Sequence, residues 1–171
     1  MGKRRLAREM AVQMLYQADL AASAEPTIVG NFDVSDFLLE RSSAEAAEAA
    51  AGESDPGRGR TRPAAGLDEA RAAFDHARQL FEGTRSRLPE IDELIRAQAE
   101  NWRLERMPPV DRNILRLAVF ELLRELDVPR LVVVDEAVEL AKRFGSDQSG
   151  KFVNGLLDGM LKRGVFPPDL G

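Results

Sequence analysis

The segment from Asp111 to Leu126 constrains the fold of this chain most, because it is apolar on most faces of a helix. Its apolar side chains are Ile114, Leu115, Leu117, Ala118, Val119, Phe120, Leu122 and Leu123. A surface helix carries one apolar stripe, whereas a helix that is apolar almost all round is buried. Pro108 and Pro109 precede the segment and prevent an upstream helix from continuing into it. We therefore predict a central helix with other helices packed around it.

The rest of the chain also shows helical spacing, and we expect an α-helical bundle of about seven helices. A helix from Lys3 to Leu20 has a buried stripe formed by Leu6, Ala7, Met10, Ala11, Met14, Leu15 and Ala18. A turn is predicted from Glu25 to Gly30. Helical spacing returns at three later points, which are Val34, Leu67 and Pro89. The apolar run from Leu131 to Val134 has no partner strand, so we assign it to the start of the next helix.

The stretch from Asp135 to Lys162 is typical of two helices joined by a sharp turn. Within it, Gly145 to Lys151 spells G-x-x-x-x-G-K, the loop with which nucleotide hydrolases hold phosphates. That loop requires a Ser or Thr after its lysine and a buried strand before it. Here Phe152 follows, and a charged amphipathic helix precedes. We therefore interpret Gly145 as a helix C-cap and Gly150 as part of the next helix start.

Residues 42–66 form a low-complexity segment without a large apolar side chain. Such a segment cannot anchor itself to a core, so we predict a partly helical, flexible insert. The chain of 171 residues is otherwise expected to form one helical domain over residues 1–171.

Composition disfavours several classes of site. The chain has no cysteine and a single histidine, His76, which disfavours disulfides and zinc sites. No run approaches the about 18 apolar residues of a membrane span, and no apolar stretch follows the basic N-terminus as in a signal peptide. We expect a cytoplasmic protein without a metal or cofactor. No Ser or Cys nucleophile has a His to activate it, so we expect no enzymatic activity.

Two groups of basic and aromatic side chains indicate a binding function instead. The first group lies on the first helix and consists of Arg4, Arg5, Arg8 and Tyr16. On a helical projection, the solvent side opposite the buried stripe carries Arg5, Arg8, Val12 and Tyr16, and Arg4 lies at its border. The second lies at the last turn, where Lys151 is on the wet side of the helix and Phe152 is at the edge of its stripe. Guanidinium groups for phosphates and a ring for an unstacked base suit single-stranded nucleic acid. A merely solvated basic helix end fits the first group equally well.

Three blocks of the sequence resemble the signature blocks of the NusB family of bacterial transcription antitermination factors. They are RRLAREMAVQMLYQADL at Arg4–Leu20, NWRLERMPPVDRNILRLAVFELL at Asn101–Leu123 and DEAVELAKRFGSDQSGKFVNGLLDG at Asp135–Gly159. Together they cover more than a third of the chain, in the family's order. The insert at residues 42–66 departs from the family pattern.

The resemblance implies both a fold and a function. The fold would be all-helical, with two small helical subdomains packed together. The function would be binding of boxA, a single-stranded RNA element of ribosomal RNA leader transcripts, jointly with NusE, a ribosomal protein of the small subunit. RNA polymerase in the resulting antitermination complex would resist termination.

The resemblance also implies which residues bind each partner. The RNA-binding residues would be Arg4, Arg5, Arg8, Asp147, Lys151 and Phe152. The NusE-binding residues would be Tyr16, Glu105 and Asp111. This assignment moves Tyr16 from the RNA side to the protein side. Asp147 also lies where the last helix begins, so the sequence allows it a second role as a helix cap.

Two other functions remain open at the level of sequence. A similar helical domain precedes the catalytic domain of certain ribosomal RNA cytosine methyltransferases, although that catalytic domain would need a long segment after Gly171. A helical adaptor that binds proteins without RNA is the second alternative. The exposed face around Tyr16 would also suit a homodimer.

Overall fold

The computed structural model describes residues 2–21, 24–51, 66–100 and 102–168, which form helices and connecting loops. Their eight α-helices are α1 (Lys3–Ala21), α2 (Glu25–Asn31), α3 (Val34–Ala51), α4 (Leu67–Ser86), α5 (Leu88–Gln98), α6 (Pro109–Arg124), α7 (Arg130–Phe144) and α8 (Ser149–Lys162). A 3₁₀ turn, Leu104–Arg106, lies between α5 and α6. The predicted all-helical class is confirmed. None of the described helices is long and apolar enough to cross a bilayer.

Helix α6 is the central element, as its sequence predicts. Every residue from Asp111 to Leu122 is buried, including the charged ones. The helix packs against α1, α4, α5, α7 and α8. Pro109 occupies the first turn, where a missing N–H costs nothing because no partner carbonyl exists there.

The other helices form two groups around α6. In the first group α4 packs along α1 and α3, and in the second α8 packs along α7 and α5. Helix α6 contacts members of both groups, and one cluster of buried apolar side chains runs through them. This arrangement agrees with the two packed helical subdomains that were expected.

Helices α4 and α6 approach closely at Gly83. A Cβ atom at this position would collide with the ring of Phe120. Helix α4 nevertheless continues to Ser86, so Gly83 does not end the helix. The glycine is needed because it leaves room for a neighbouring ring.

The segment expected to be a turn from Glu25 to Gly30 is instead helix α2, which accounts for the eighth helix. Pro26 lies in its first turn, and Ile28 is buried against the core. Burial of one apolar side chain and the favourable proline position stabilise this short helix. In the low-complexity insert, residues 42–51 continue helix α3, whereas residues 52–65 lie outside the described residues.

Helix α7 begins at Arg130, so the run from Leu131 to Val134 is helical as predicted. Val133 and Val134 are buried, whereas Leu131 and Val132 are exposed. The run therefore contributes one helical face to the core, as expected at the start of an amphipathic helix.

Candidate nucleic-acid and partner interface

The basic start of α1 presents two different arginines. Arg4 is exposed in the first turn. The guanidinium of Arg5 instead donates to both carboxylate oxygens of Glu136 on α7, with Nη2 to Oε1 at 2.8 Å and Nε to Oε2 at 3.1 Å. This hydrogen bonding lowers the pKa of Glu136 and raises that of Arg5. Any phosphate that binds Arg5 must therefore compete with a charged carboxylate.

Arg8 lies in the protein interior, so its predicted place on a solvent face is wrong. Its side chain is 5% exposed and pairs with Glu121 of α6, whose side chain is 4% exposed. Nε donates to Oε1 and Oε2 of Glu121 at 3.0 and 3.1 Å. Burial raises the pKa of Glu121, and the Arg8 guanidinium opposes that shift. In this arrangement Arg8 ties α1 to α6.

A second buried network explains why the side of α1 that looked free is covered. Glu9 accepts from Arg41 of α3 at 2.8 Å and from Arg143 of α7 at 3.1 Å. Glu45 on α3 also pairs with Arg41 and Arg143, at 3.1 and 3.4 Å. Side chains of α3 and α7 thus reach α1 through these ion pairs, and Val12 on the same side of α1 is buried.

The turn between α7 and α8 is capped by serines. The backbone N–H of Ser146 donates to Oγ of Ser149 at 2.9 Å, and Ser149 is buried. A Cβ at Gly145 would collide with Ser149, which explains the glycine at this C-cap. Asp147 is exposed, and no side chain caps α8 at its N-cap residue, Gln148. Asp147 therefore does not cap α8, and of the two roles that the sequence allowed it, only the one beside RNA remains as a prediction.

The first turn of α8 carries a cation and a ring, as the sequence predicts. Lys151 is exposed, and Phe152 is half-buried against the core. The structure adds Trp102, which sequence reasoning did not include among the site residues. Its ring lies edge-on to Phe152, with 5.7 Å between centroids and an interplanar angle of 64°. The two residues are fifty positions apart, so only the packing of α8 beside the loop after α5 brings them together.

Helix α7 links the two candidate RNA-binding groups. The stem of Lys142 on α7 lies against Gly150, where an added Cβ would be 3.0 Å from its Cγ. Lys142 also lines the cleft that contains Arg5, together with the carboxylates of Glu136 and Glu139. The α1 and α8 cations therefore flank one helix, and acidic side chains lie among them.

The three residues expected to bind a protein partner lie on elements that Arg112 joins. Its Nη2 donates to Oδ2 of Asp19 on α1 at 2.6 Å, and its Nη1 donates to the carbonyls of Leu104 and Met107 at 3.1 and 3.2 Å. Burial alone would raise the pKa of Asp19, but the hydrogen bonds from Arg112 and Asn113, together with the charges of Arg116 and Arg112, lower it. These contacts fix the 3₁₀ turn beside the C-terminal half of α1.

An apolar groove surrounds Tyr16 near this fixed turn. Its volume is about 370 Å³, and its apolar lining consists of Val12, Tyr16, Phe37, Ala44, Val110 and Phe144. Tyr16 is 37% exposed and Phe144 45% exposed. Two half-exposed rings beside a groove form a surface that suits apolar contact with another protein.

The two acidic partner residues differ in their environment. Glu105 is exposed in the 3₁₀ turn, and its own backbone N–H together with Arg96 lowers its pKa. Asp111 is buried in the first turn of α6, where the helix dipole favours a carboxylate. Its Oδ1 has no hydrogen-bond partner among the described residues. Val110, which precedes it, lines the Tyr16 groove.

Comparison with known proteins places these elements in one family. The model of the NusB family matches residues 5–162, which include the residues from α1 to α8 that form both surfaces, except Arg4. The chain belongs to the NusB family. A transcription antitermination protein NusB from Sorangium cellulosum (strain So ce56) is 40% identical over 158 residues, 92% of this chain and 91% of that relative.

Solved NusB structures share the fold. NusB of T. maritima is 33% identical and aligns with a TM-score of 0.66 over 93% of this chain and 90% of that chain. The matching chain in a crystal structure of the antitermination factors NusB and NusE in complex with double-stranded RNA is 24% identical in sequence to this chain. The two align with a TM-score of 0.64 over 94% of this chain and 97% of that chain. The sequence resemblance to the NusB family is thus confirmed.

Proposed function

We propose that this chain is an RNA-binding transcription antitermination factor. It binds boxA in ribosomal RNA leader transcripts together with NusE, and it helps RNA polymerase resist termination. Family membership supports this function, since relatives at about 40% identity over most of the chain are named transcription antitermination protein NusB. The protein acts by binding, without a catalytic step, in the cytoplasm.

The observation that carries the RNA role is the exposed Lys151 beside the half-buried ring of Phe152. A lysine at this place neutralises a phosphate, and a ring held by the core offers a face to an unstacked base. The first turn of α8 adds the partial positive charge of its free N–H groups. Asp147 lies four residues before Lys151 and opposes phosphate binding by its charge.

Arg4 and Arg5 extend this RNA surface along α7. Arg4 is exposed and neutralises a phosphate directly, whereas Arg5 does so after leaving Glu136. Arg8 belongs to the surface only indirectly, because its pairing with Glu121 holds α1 in place. The RNA-binding set is therefore Arg4, Arg5, Lys151 and Phe152, with Asp147 at its edge and Arg8 as a positioning residue.

NusE binds at the Tyr16 groove in this proposal. The groove supplies apolar contact, and Glu105 supplies an exposed carboxylate. Asp111 contributes to this interface by turning its side chain outward, because its Oδ1, which has no hydrogen-bond partner among the described residues, is otherwise buried away from a docked protein. Apolar contact with a few satisfied polar groups is typical of stable protein interfaces.

Filter binding with boxA-type RNA, with and without NusE, tests both halves of the proposal. Lys151→Ala should weaken RNA binding in both conditions. Lys162→Ala is a matched control, because it removes the same charge from the other end of α8, where the lysine side chain is 77% exposed. Equal effects of the two lysine variants would contradict a specific role of Lys151.

Tyr16→Ala should leave binding of RNA alone unchanged and abolish the gain that NusE provides. Leu39→Ala is its control, since Leu39 is 66% exposed on α3 and does not line the groove. If NusE bound but RNA did not, the protein would be an adaptor without an RNA role, and the proposed function would be wrong.

A further inference from the structure

We propose that Trp102 is an additional base-stacking residue, and that its ring and Phe152 form a corner holding one nucleobase of single-stranded RNA. The inference rests on the proposed RNA-binding function and extends it to a residue outside the expected set. Its basis is the position of one exposed ring against another beside an exposed lysine.

The geometry of the two rings determines how a base can bind. Their centroids are 5.7 Å apart and their planes meet at 64°, so the rings are in edge-to-face contact. No base fits between them in this arrangement. A base can instead stack on one ring while its edge lies against the other. Phe152 is held by the core, whereas Trp102 is 56% exposed and has a ring surface free for contact.

The surroundings of the corner suit a nucleotide. The cleft beside the two rings has a volume of about 360 Å³ and includes Lys151, Gly155 and Glu100 in its lining. Gly155 leaves its part of the cleft open, since a Cβ there would have no neighbour within 4 Å. Lys151 supplies a positive charge for the phosphate that accompanies the base, and Glu100 supplies an acceptor for an exocyclic amine. The cleft is continuous with Lys151 and Phe152, which already belong to the proposed RNA surface.

Exposure argues against a purely structural role for Trp102. A tryptophan that serves only packing removes most of its large surface from water, because each Å² of apolar surface left exposed forgoes burial free energy. More than half of this side chain stays in water. A stacked base would cover that surface, and base stacking on an aromatic side chain tolerates any base because every base has a π-face.

The chain contains one tryptophan, so its fluorescence reports Trp102 alone. We expect the emission of the full-length protein to change in step with binding of a boxA-type RNA oligonucleotide, as followed independently by the anisotropy of a labelled RNA. Trp102→Ala should weaken RNA binding by about 5- to 140-fold, the range that stacking of one base provides. Trp102→Phe should keep most of the affinity, because it retains an aromatic face.

An abasic scan distinguishes stacking from a structural effect. RNA oligonucleotides that each lack one base are titrated against the wild type, Trp102→Ala and Phe152→Leu, with thermal unfolding as a check of the fold. At one position of the RNA, removal of the base should leave neither substitution with any further effect on affinity, since both rings contact that base. Weaker binding without coupling to any abasic position would mean that Trp102 only supports the fold, and the inference would be wrong.

Two further outcomes separate this inference from the function on which it rests. If Trp102→Ala binds RNA with wild-type affinity, and the tryptophan emission of the wild type does not change on RNA binding, the stacking role is overturned and the RNA-binding function stays intact. No binding of the RNA to the wild type by either readout would overturn both.

Discussion

Arg4 and Arg8 show how burial assigns different roles to the same residue type one turn apart. Arg4 is exposed, whereas Arg8 is enclosed with Glu121 between α1 and α6. An exposed guanidinium gains little from the fold and remains available to a ligand. A buried guanidinium is committed to its partner, because separating the pair would leave a charge in the interior.

Arg8→Ala should therefore destabilise the protein by about 3–5 kcal/mol, since it leaves Glu121 buried and unpaired. Arg4→Ala should leave the free energy of unfolding unchanged within about 0.5 kcal/mol and weaken RNA binding. Urea unfolding of both variants measures the contrast. The double variant Arg8→Met/Glu121→Leu is the control and should recover most of the lost stability, because neither charge remains. A stable Arg8→Ala protein would show that the pair is not buried in solution.

Asp147→Asn should strengthen RNA binding severalfold while leaving thermal stability unchanged. The carboxylate is exposed and the nearby N–H of Ser146 bonds to Ser149, so no cap is lost. Like charges near a surface repel by roughly 1 kcal/mol at short range in water, and salt screens the repulsion. The gain should thus be largest at low salt. If the affinity of Asp147→Asn for RNA equals or falls below that of the wild type at every salt concentration, the RNA lies away from this turn.

At the level of elements, two glycines inside helices have opposite structural meaning. Gly83 in α4 lies against the ring of Phe120 in α6, whereas a Cβ at Gly155 in α8 would meet nothing within 4 Å. Glycine inside a helix costs about 1 kcal/mol relative to alanine, because it loses more backbone freedom on folding. At Gly83 the close packing of α4 against Phe120 of α6 offsets this loss of stability, whereas among the described residues no such contact exists at Gly155.

Gly83→Ala should destabilise the protein by about 1–3 kcal/mol, the usual cost of overpacking, despite the better helix propensity. Gly155→Ala is the matched substitution and should stabilise it by about 0.5–1 kcal/mol. Thermal or urea unfolding measures both. Equal stabilisation by the two substitutions would show that α4 and α6 separate easily at this crossing.

For the whole molecule, the distribution of charge matters more than its sum. The formal net charge is −5, and acidic side chains line the cleft beside Arg5. The protein as a whole therefore repels RNA at long range, and binding depends on a few local cations. Arg4, Arg5 and Lys151 are the cations of the proposed surface.

If these three side chains each neutralise one phosphate, log K for RNA should fall with log salt concentration with a slope of about −2, from about −0.7 per phosphate on a single strand. Lys151→Ala and Arg4→Ala should each reduce the slope by about 0.7. Titrations between low and physiological salt measure the slope. If Lys162→Ala reduced the slope as much as Lys151→Ala does, the RNA would be attracted by the overall charge and not held by defined phosphate contacts.

Sequence periodicity determined the helical class, the central position of α6 and the buried stripe of α1, because each is a property of one helix and its apolar face. The short helix α2 was expected as a turn, because seven residues carry too little periodicity to compete with the turn signals around them. The phosphate-loop motif was correctly set aside, since its preceding element is helix α7.

Only the tertiary structure decided which polar side chains are buried in contacts within the protein and which stay exposed for a ligand. A helical projection assumes one buried face. Helix α1 packs against both α4 and α6, and Arg41 of α3 and Arg143 of α7 also bond to its Glu9, so Arg8 and Val12 are buried on the side that was expected to face solvent. Trp102 meets Phe152, and Arg112 joins Asp19 to the 3₁₀ turn, across fifty and more residues of chain. The periodicity of a helix shows which of its faces is apolar and which is polar. It carries no information about distant neighbours, because it does not show which other helix packs beside that face.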